Sequence, residues 1–513
     1  MATLDAPIDL DTLDLGSFAG RPVAVLGLAR SGIALARFLA DQGAIVTVYD
    51  VRPADELTDA LASLEGRPVR TLLGPEIHPG DALAGQALVC TSPSVSSRFP
   101  TTEPRLRSAL ARLESEGRVP VISEVDLFLR LCPALTLGIT GTKGKTTTSA
   151  LTAAILGASG MPTVLGGNIG TPLVERLPEL TPRHRVVLEL SELQLPTLSR
   201  GTDVAVYTHV SSDHLDRHGS LEAYQAVKRR LAELVPADGA LVLNDEDAIS
   251  GEYSAPHGAP VVRYRRSSPL PGGVGTGDGW IVASGVPRLA AAGGGTAMTA
   301  AHGRVMPLAE IALPGAHNVS NVLAAVAAGL LLGVEPDAIR KAVAGFQGVE
   351  HRLERVALVD RVLFVNDSQG TQPDAVIAAL HSFEQPLVLI AGGRGKGLAM
   401  DELAGVVAER ASAAVLIGES ARDLAAVFGA AGLARIEPAT TLEEAVALAD
   451  AIARRLLADD PSGQATVLLS PAATSFDMFI DYAARGRAFK AAVAALATSR
   501  TDPSRGHPGG SEP

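Results

Sequence analysis

Cysteine is almost missing. Cys90 and Cys132 are the only two in 513 residues, which excludes a disulfide framework or a thiolate metal cluster and points to a reducing compartment. Aromatics are scarce at 4%, with a single tryptophan, Trp280, so the core must rest on Ala, Val and Leu, as it does where helices cover buried parallel strands. Basic charge is the minority: 44 Lys+Arg against 56 Asp+Glu leave a net charge of −12. That excludes a broad phosphate-tracking surface for DNA or RNA and leaves room only for a local anion site. No run of about 18 uncharged apolar residues is present to span a bilayer. The acidic opening, MATLDAPIDLDTLDL, lacks the basic-then-apolar layout of a signal peptide. A cytoplasmic enzyme without nucleic-acid or membrane partners is expected.

What is present is a chain about three times the usual domain length of roughly 150 residues, 47% hydrophobic and 19% charged, enough for two to four domains. Short β-type runs alternate with helical ones from Val23, a parallel βαβ rhythm that Val119 to Ser123 and Cys132-Pro133 are expected to close as turns. A second series opens at Leu135, with strands near Thr136 to Thr140, Val186 to Leu190 and Val204 to Thr208, and a third at His351. The spacing predicts an α/β protein of three domains: a Rossmann-like one over 1–134, a central P-loop ATPase-like one over 135–348, and a second Rossmann-like one over 349–498. Residues 266–304, rich in Gly, Pro, Ser and Ala, read as a surface excursion, and 499–513 as a floppy tail.

The most informative stretch is Leu135-Thr-Leu-Gly-Ile-Thr-Gly-Thr-Lys-Gly-Lys-Thr-Thr-Thr148, an apolar strand, a Gly-rich bend and a helix start. Backbone N–H groups of such a loop, backed by the positive end of the helix, cradle an anion. Lys145 would reach the outer phosphates of a nucleotide and the Thr146 hydroxyl would ligate Mg²⁺. The strict pattern asks for Gly where Ile139 stands, so a flexible turn with a surface lysine is the competing reading. In the first domain Gly27-Leu-Ala-Arg-Ser-Gly32 allows a tight turn against a diphosphate. Asp50, at a strand end, is either part of that site or an ordinary strand-end carboxylate. Glu189 ends the run Val186-Val-Leu-Glu and is an apt hard ligand for Mg²⁺. His214 follows another apolar strand. Lys228, beside Arg229 and Arg230 on a helix of mixed polarity, reads by itself equally as a solvated lysine or as a site residue. Asn318 and Asn321 stand at a helix start, where Asn also caps.

GTKGKTTT resembles the phosphate loop of the Mur ligases, the ATP-dependent enzymes that build the peptide stem of the bacterial cell wall. The resemblance continues in order through Gly166-Gly-Asn168-Ile-Gly170, Glu189-Leu-Ser-Glu-Leu-Gln194, Ser212-Asp-His214-Leu-Asp216, Gly315-Ala-His-Asn318-Val-Ser-Asn321, Glu350-His-Arg352 and Asn366-Asp367-Ser368. Asp50-Val-Arg52, Lys396 in GGRGKG and Ser475 in SPAATSFDMF are similar to the members that add glutamate. The resemblance implies UDP-N-acetylmuramoyl-L-alanine, glutamate (D-Glu by family default) and ATP as substrates, and a monomer. It implies nucleotide contacts from Gly141, Thr142, Lys143, Gly144, Lys145, Thr146, Thr147, Asn318, Asn321, Arg352 and Asp367. Ala29, Arg30, Asp50, Arg52, Ser94, Asn168 and His214 would hold the UDP substrate, and Thr371, Lys396, Ser475 and Tyr482 the glutamate. Two Mg²⁺ sites are implied, from Thr146, Glu189, His214 and a carbamylated Lys228, with Lys145, His214 and Lys228 as the catalytic set. The chain departs from the family at Ser94, where Gly is common, and at Gln369, where Lys is usual, while the loop carries Lys143 in place of Asn; Lys143 is expected to supply the charge missing at 369. The competing functions are an L-glutamate-adding relative, another Mur or folylpolyglutamate-type ligase, and a P-loop regulatory ATPase, although no Asn-Lys-x-Asp guanine-reading motif is present.

Overall fold

The computed structural model describes residues 6–211, 220–289, 301–313, 315–384, 386–395, 400–458 and 462–501. Three sheets order the chain. The first contains β1 (Pro22–Leu26), β2 (Ile45–Asp50), β3 (Val69–Leu73), β4 (Leu88–Thr91) and β5 (Val121–Ser123), all parallel in the order β3-β2-β1-β4-β5. This is a doubly wound, Rossmann-like order, and its direction reverses beside β1. The crevice beyond the carboxyl ends of β1 and β4 is therefore where a ligand fits, and Gly27–Gly32 lies there.

The central sheet has nine strands: β6 (Leu135–Thr140), β7 (Thr163–Gly167), β8 (Arg185–Glu189), β9 (Val204–Tyr207), β10 (Ala240–Asn244), β11 (Val261–Tyr264), β12 (Val274–Gly277), β13 (Trp280–Val286) and β14 (Ala301–Pro307). Their order is β14-β13-β12-β11-β10-β9-β6-β8-β7, parallel from β7 to β12 and antiparallel beyond. The third sheet, β15 (Glu354–Val359), β16 (Val362–Asn366), β17 (Leu387–Gly392), β18 (Ala413–Ile417), β19 (Ile436–Pro438) and β20 (Ala465–Leu469), runs β15-β16-β20-β17-β18-β19, with only β15 antiparallel.

The strands read as continuous apolar runs because both of their faces are covered. In β17, Leu387, Leu389 and Ala391 enter one core while Val388 and Ile390 enter the core on the opposite face. In β8, Val186 and Leu188 face the core that also holds Val25, Val48 and Phe128 of the first sheet's layers, and Val187 faces the other. The first two sheets thus share one apolar core across residue 134. The chain divides into two compact units between Phe346 and Gln347, the first holding the first and central sheets and the second holding the third sheet. Among the described residues no helix is long and apolar enough to cross a membrane.

Three expectations need correction. Much of the 266–304 stretch is not a surface excursion: β12 to β14 extend the central sheet and bury Val274, Ile281, Val286 and Met306. Its Gly-rich average conceals a period of two over Trp280–Ser284, where Ile281 and Ala283 are buried between partly exposed neighbours. Val121–Ser123 is a sheet strand rather than a closing turn; three residues are too few to show a period. The helix Tyr482–Thr501 runs into the segment expected to be a tail, and Arg500 pairs there with Asp450 and Asp360.

Candidate active site

The phosphate loop leaves β6 at Thr140 and enters the helix Lys145–Ala158. Ile139 is fully buried as a core residue of the strand, and the bend opens only at Gly141, so glycine is not needed at 139. It is needed at 141 and 144. Both have positive φ, +149° and +88°, and a Cβ would stand 2.1 Å from Thr208 Oγ1 and 2.3 Å from Asn321 Oδ1 respectively. Thr142 N–H donates to the His209 carbonyl at 2.6 Å, Thr208 Oγ1 donates to the Lys143 carbonyl at 2.6 Å, and Thr142 Oγ1 lies 2.9 Å from the Tyr224 hydroxyl. The loop is thereby held open as a cradle. Lys145 Nζ donates to the carbonyls of Gly141 (3.0 Å) and Thr142 (2.9 Å), and Thr146 is buried in the first turn. Lys143 is exposed, its backbone paired with His209, while Asn321, hydrogen-bonded to Asn318 at 3.1 Å, borders the loop.

Glu189 pairs in register with Ile139, at the root of the loop. Its carboxylate is buried; Oε1 accepts from Asn168 Nδ2 at 2.8 Å, and Oε2 has no hydrogen-bond partner among the described residues. A buried carboxylate oxygen left unmatched is costly in a protein alone and is what a hard cation would satisfy.

Lys228 is not the solvated lysine that its neighbours suggest. It is fully buried, its Nζ donates to the Gly141 carbonyl at 3.1 Å, and it lies 5.3 Å from the Tyr224 ring centroid. The signal was the helical spacing Tyr224, Lys228, Leu231, which is the buried face of helix Leu221–Glu233. His214 and the rest of Ser212–Asp216 lie outside the described residues. Among the described residues no three His, Cys, Asp or Glu side chains converge as a ready metal cluster.

At the first sheet the Asp50 carboxylate is wholly engaged in shaping the turn. Oδ2 accepts from Leu28 N–H (2.7 Å) and Arg52 Nη2 (2.8 Å), and Oδ1 from Arg52 N–H (3.0 Å) and Nε (3.1 Å). Burial pushes its pKa up, but the hydrogen bonds from Arg52 and Leu28 outweigh it and hold the group below the usual range. Ala29, Arg30 and Ser94 are exposed at the strand ends. Arg30 Nη1 reaches across to the Gly170 carbonyl at 3.0 Å, and Gly170 ends the loop that carries Asn168. Glu124 belongs to none of the motifs above. This first-turn residue of helix Glu124–Leu131 is buried near Arg30, accepts a hydrogen bond from Val174 N–H, and is pushed up to about 7 by burial.

In the second unit, Asp367 follows β16. Oδ2 accepts from Ser470 Oγ at 2.6 Å and Oδ1 from Leu353 N–H at 3.2 Å. Burial pushes it up to about 6 against those bonds and the charge of Arg352. Thr371 lies farther along the same loop, Ser475 is buried in the loop after β20, and Tyr482 starts the C-terminal helix. Gln369 donates from its backbone to the His351 carbonyl at 3.0 Å. Lys396 lies outside the described residues.

These loops define an α/β nucleotide-dependent enzyme, and comparison identifies its kind. The Mur ligase middle domain matches residues 139–329, and the Mur ligase glutamate ligase domain matches 351–473. The UDP-N-acetylmuramoylalanine–D-glutamate ligase of Pelotomaculum thermopropionicum is 39% identical over 484 residues, 94% of this chain and 99% of that protein. The enzyme of the same name from Geotalea daltonii is 37% identical over 479 residues, 93% and 98% of the two chains. The UDP-N-acetylmuramate-alanine ligase structure from Thermotoga maritima aligns with a TM-score of 0.49 at 18% identity, covering 93% of this chain and 99% of that one, too loosely to bear on the site. The chain belongs to the Mur ligase family. It is an ATP-dependent ligase that joins a carboxylic acid to an amino acid.

Proposed function

We propose that this chain joins D-glutamate to UDP-N-acetylmuramoyl-L-alanine, through an acyl phosphate, in peptidoglycan precursor synthesis in the cytoplasm. The observation that carries the reading is the likeness to glutamate-adding ligases over nearly the whole length of both chains, together with an intact phosphate cradle. Amide formation from a carboxylate is uphill in water, so the alanyl carboxylate attacks the γ-phosphoryl group of ATP and ADP leaves. The glutamate amine then attacks the acyl carbon, and phosphate departs from the tetrahedral intermediate. This requires no Ser or Cys nucleophile. Loop amides and Lys145 neutralise the transferring phosphoryl group by position and charge. Thr142 and Thr208 hold the cradle in shape before substrate arrives.

The residues fit Mg²⁺: Glu189 Oε2 is buried and unmatched among the described residues, and Thr146 supplies a hydroxyl from the second residue of the helix that Lys145 begins. Glu189 and Thr146 would hold one ion, and His214 with a carbamylated Lys228 the second. Bound there, Mg²⁺ supplies electrostatic stabilisation of the phosphoryl oxygens. By likeness to the family, Asn318, Asn321, Arg352 and Asp367 serve the nucleotide. The turn Ala29-Arg30 with Arg52, Ser94 and Asn168 serves the UDP substrate, and Thr371, Lys396, Ser475 and Tyr482 serve glutamate.

The test is to incubate the purified protein with ATP, Mg²⁺, UDP-N-acetylmuramoyl-L-alanine and either glutamate enantiomer, following ADP release and product mass. The expected product is one glutamyl residue heavier, formed with D-Glu alone. ADP release independent of the UDP substrate and amino acid, or a product made with L-Glu, overturns the reading in its first or second part.

A further inference from the structure

The largest fully buried side chain among the described residues is a cation that none of the roles above uses. Arg485, on the C-terminal helix, is 1% exposed. Its Nε donates to Ser368 Oγ at 3.0 Å and its Nη2 to the Ser368 carbonyl at 3.0 Å. The Ala473 carbonyl accepts from Nη2 at 3.2 Å and from Nη1 at 3.3 Å. Ser368 belongs to the loop after β16 and Ala473 to the loop after β20. The loop after β17 packs on the same guanidinium, since a Cβ at Gly393 would stand 3.2 Å from Nη1. That third loop is laced to the second where Arg394 and Thr474 exchange backbone hydrogen bonds at 3.0 Å. Ser368 Oγ in turn donates to the Tyr482 carbonyl at 2.7 Å, closing the cluster onto the start of the helix.

We propose that Arg485 is a positioning residue for the amino-acid substrate, pinning from beneath the three adjacent strand-end loops of the third sheet into one rigid platform. The proposal rests on the glutamate reading above, which places Thr371, Ser475 and Tyr482 on two of these loops and on the helix they join. Only a planar fork of five donors can serve a hydroxyl and two carbonyls on different loops at once; the compact ammonium of lysine cannot span them. Energetics argue that the arrangement is not merely structural. Among the described residues no carboxylate forms an ion pair with Arg485, and a buried unpaired guanidinium costs stability that an apolar side chain would not. Burial pulls the group down to about 10, with only Asp477 opposing, so it stays cationic at neutral pH. A fixed positive charge under loops that receive a dicarboxylate favours its binding, most strongly at contact.

The experiment is steady-state kinetics of the full-length enzyme with each substrate varied in turn, on Arg485→Lys, Arg485→Ala and Ser368→Ala, with thermal unfolding as a check on folding. Arg485→Lys is expected to raise KM for glutamate roughly tenfold or more and to leave KM for the UDP substrate within about twofold, because the first sheet is untouched. Ser368→Ala, which removes one acceptor, is expected to shift the same KM in the same direction by less. Guanidinium ion at millimolar concentration is expected to restore part of the glutamate affinity of Arg485→Ala. Equal rises in KM for glutamate and for the UDP substrate, or a folded Arg485→Lys enzyme with unchanged KM for glutamate, overturn the proposal. Should Arg485→Ala fail to fold, the other two variants decide. A wild-type enzyme that does not turn over glutamate at all refutes the functional reading instead, and is seen before any variant is made.

Discussion

Two side chains beside the phosphate loop, Glu189 and Lys228, are buried where the ordinary preference of charged groups is for water. Glu189 keeps one oxygen unmatched, and Lys228 spends a hydrogen bond on the loop's own carbonyl at Gly141. Carbamylation of Lys228 would turn a buried cation into an oxygen anion facing the same loop. Lys228→Ala is therefore expected to lose activity by roughly 10–100-fold, the scale seen when support of a metal site is removed, and to regain part of it in acetate. The enzyme incubated with ¹³C-bicarbonate should show a carbamate carbon signal that Lys228→Ala lacks. Full activity in Lys228→Ala, without acetate, returns the residue to a packing role.

Two glycines, one capping the start of the helix Lys145–Ala158 and one near its end, make opposite demands. At Gly144 the backbone is left-handed and the space for a Cβ is taken by Asn321; at Gly157, in the last turn of the helix, nothing lies within 4 Å. Gly144→Ala is expected to cost about 1–2 kcal/mol in backbone strain and to raise KM for ATP, since Asn321 must move. Gly157→Ala is expected to stabilise by about 0.5–1 kcal/mol with kinetics unchanged. Denaturant unfolding and ATP kinetics on the pair check both signs together, and a harmless Gly144→Ala would mean that the loop does not hold this geometry in solution. Strands β12 to β14, at one end of the central sheet, follow from the same local patterning. Their alternating residues complete a face of the central core, which buries Ile281 and Met306.

Across the first unit, one core runs from the first sheet into the central one, and Glu124 sits in it with its carboxyl pushed up to about 7 by burial, partly offset by Val174 N–H and the charge of Arg30. An acid whose pKa rises on folding holds its proton more tightly in the native state. Its contribution to stability is therefore complete below the ordinary glutamate value of 4.5 and is lost as pH climbs through about 7. Asp367 in the second unit, pushed up to about 6, acts in the same direction. Glu124→Gln, which keeps the shape and an acceptor without the charge, is expected to be more stable than wild type at pH 8, on the order of 2 kcal/mol, with the gap closing toward pH 5. Thermal unfolding of both proteins from pH 5 to pH 8 measures it; curves that stay parallel would show that the carboxyl is ionised in the fold without penalty.

The parts legible in the chain alone are those where chemistry is local. Gly141, Gly144, Lys145 and Thr146 stand within one turn of each other, so a loop, its anion and its lysine follow from six residues of order. Apolar runs such as Val186-Val-Leu-Glu189 announce a buried parallel strand and the strand-end carboxylate at once, because a sheet covered on both faces leaves no polar alternation to obscure it. Where two distant segments must meet, the one-dimensional pattern is silent. It could not show that Lys228 turns inward to Gly141, since the two are 87 positions apart and the arginines beside it advertise solvent. Nor could it show that Asp50 is fully engaged by Leu28 and Arg52, that Arg30 reaches Gly170, or that Glu124 and Arg485 are buried under loops they do not adjoin in sequence. Local order selects the strand, the bend and the helix start; burial and the pairing of donors with acceptors belong to the packed sheets, because only there do side chains from different crossovers occupy the same few ångströms.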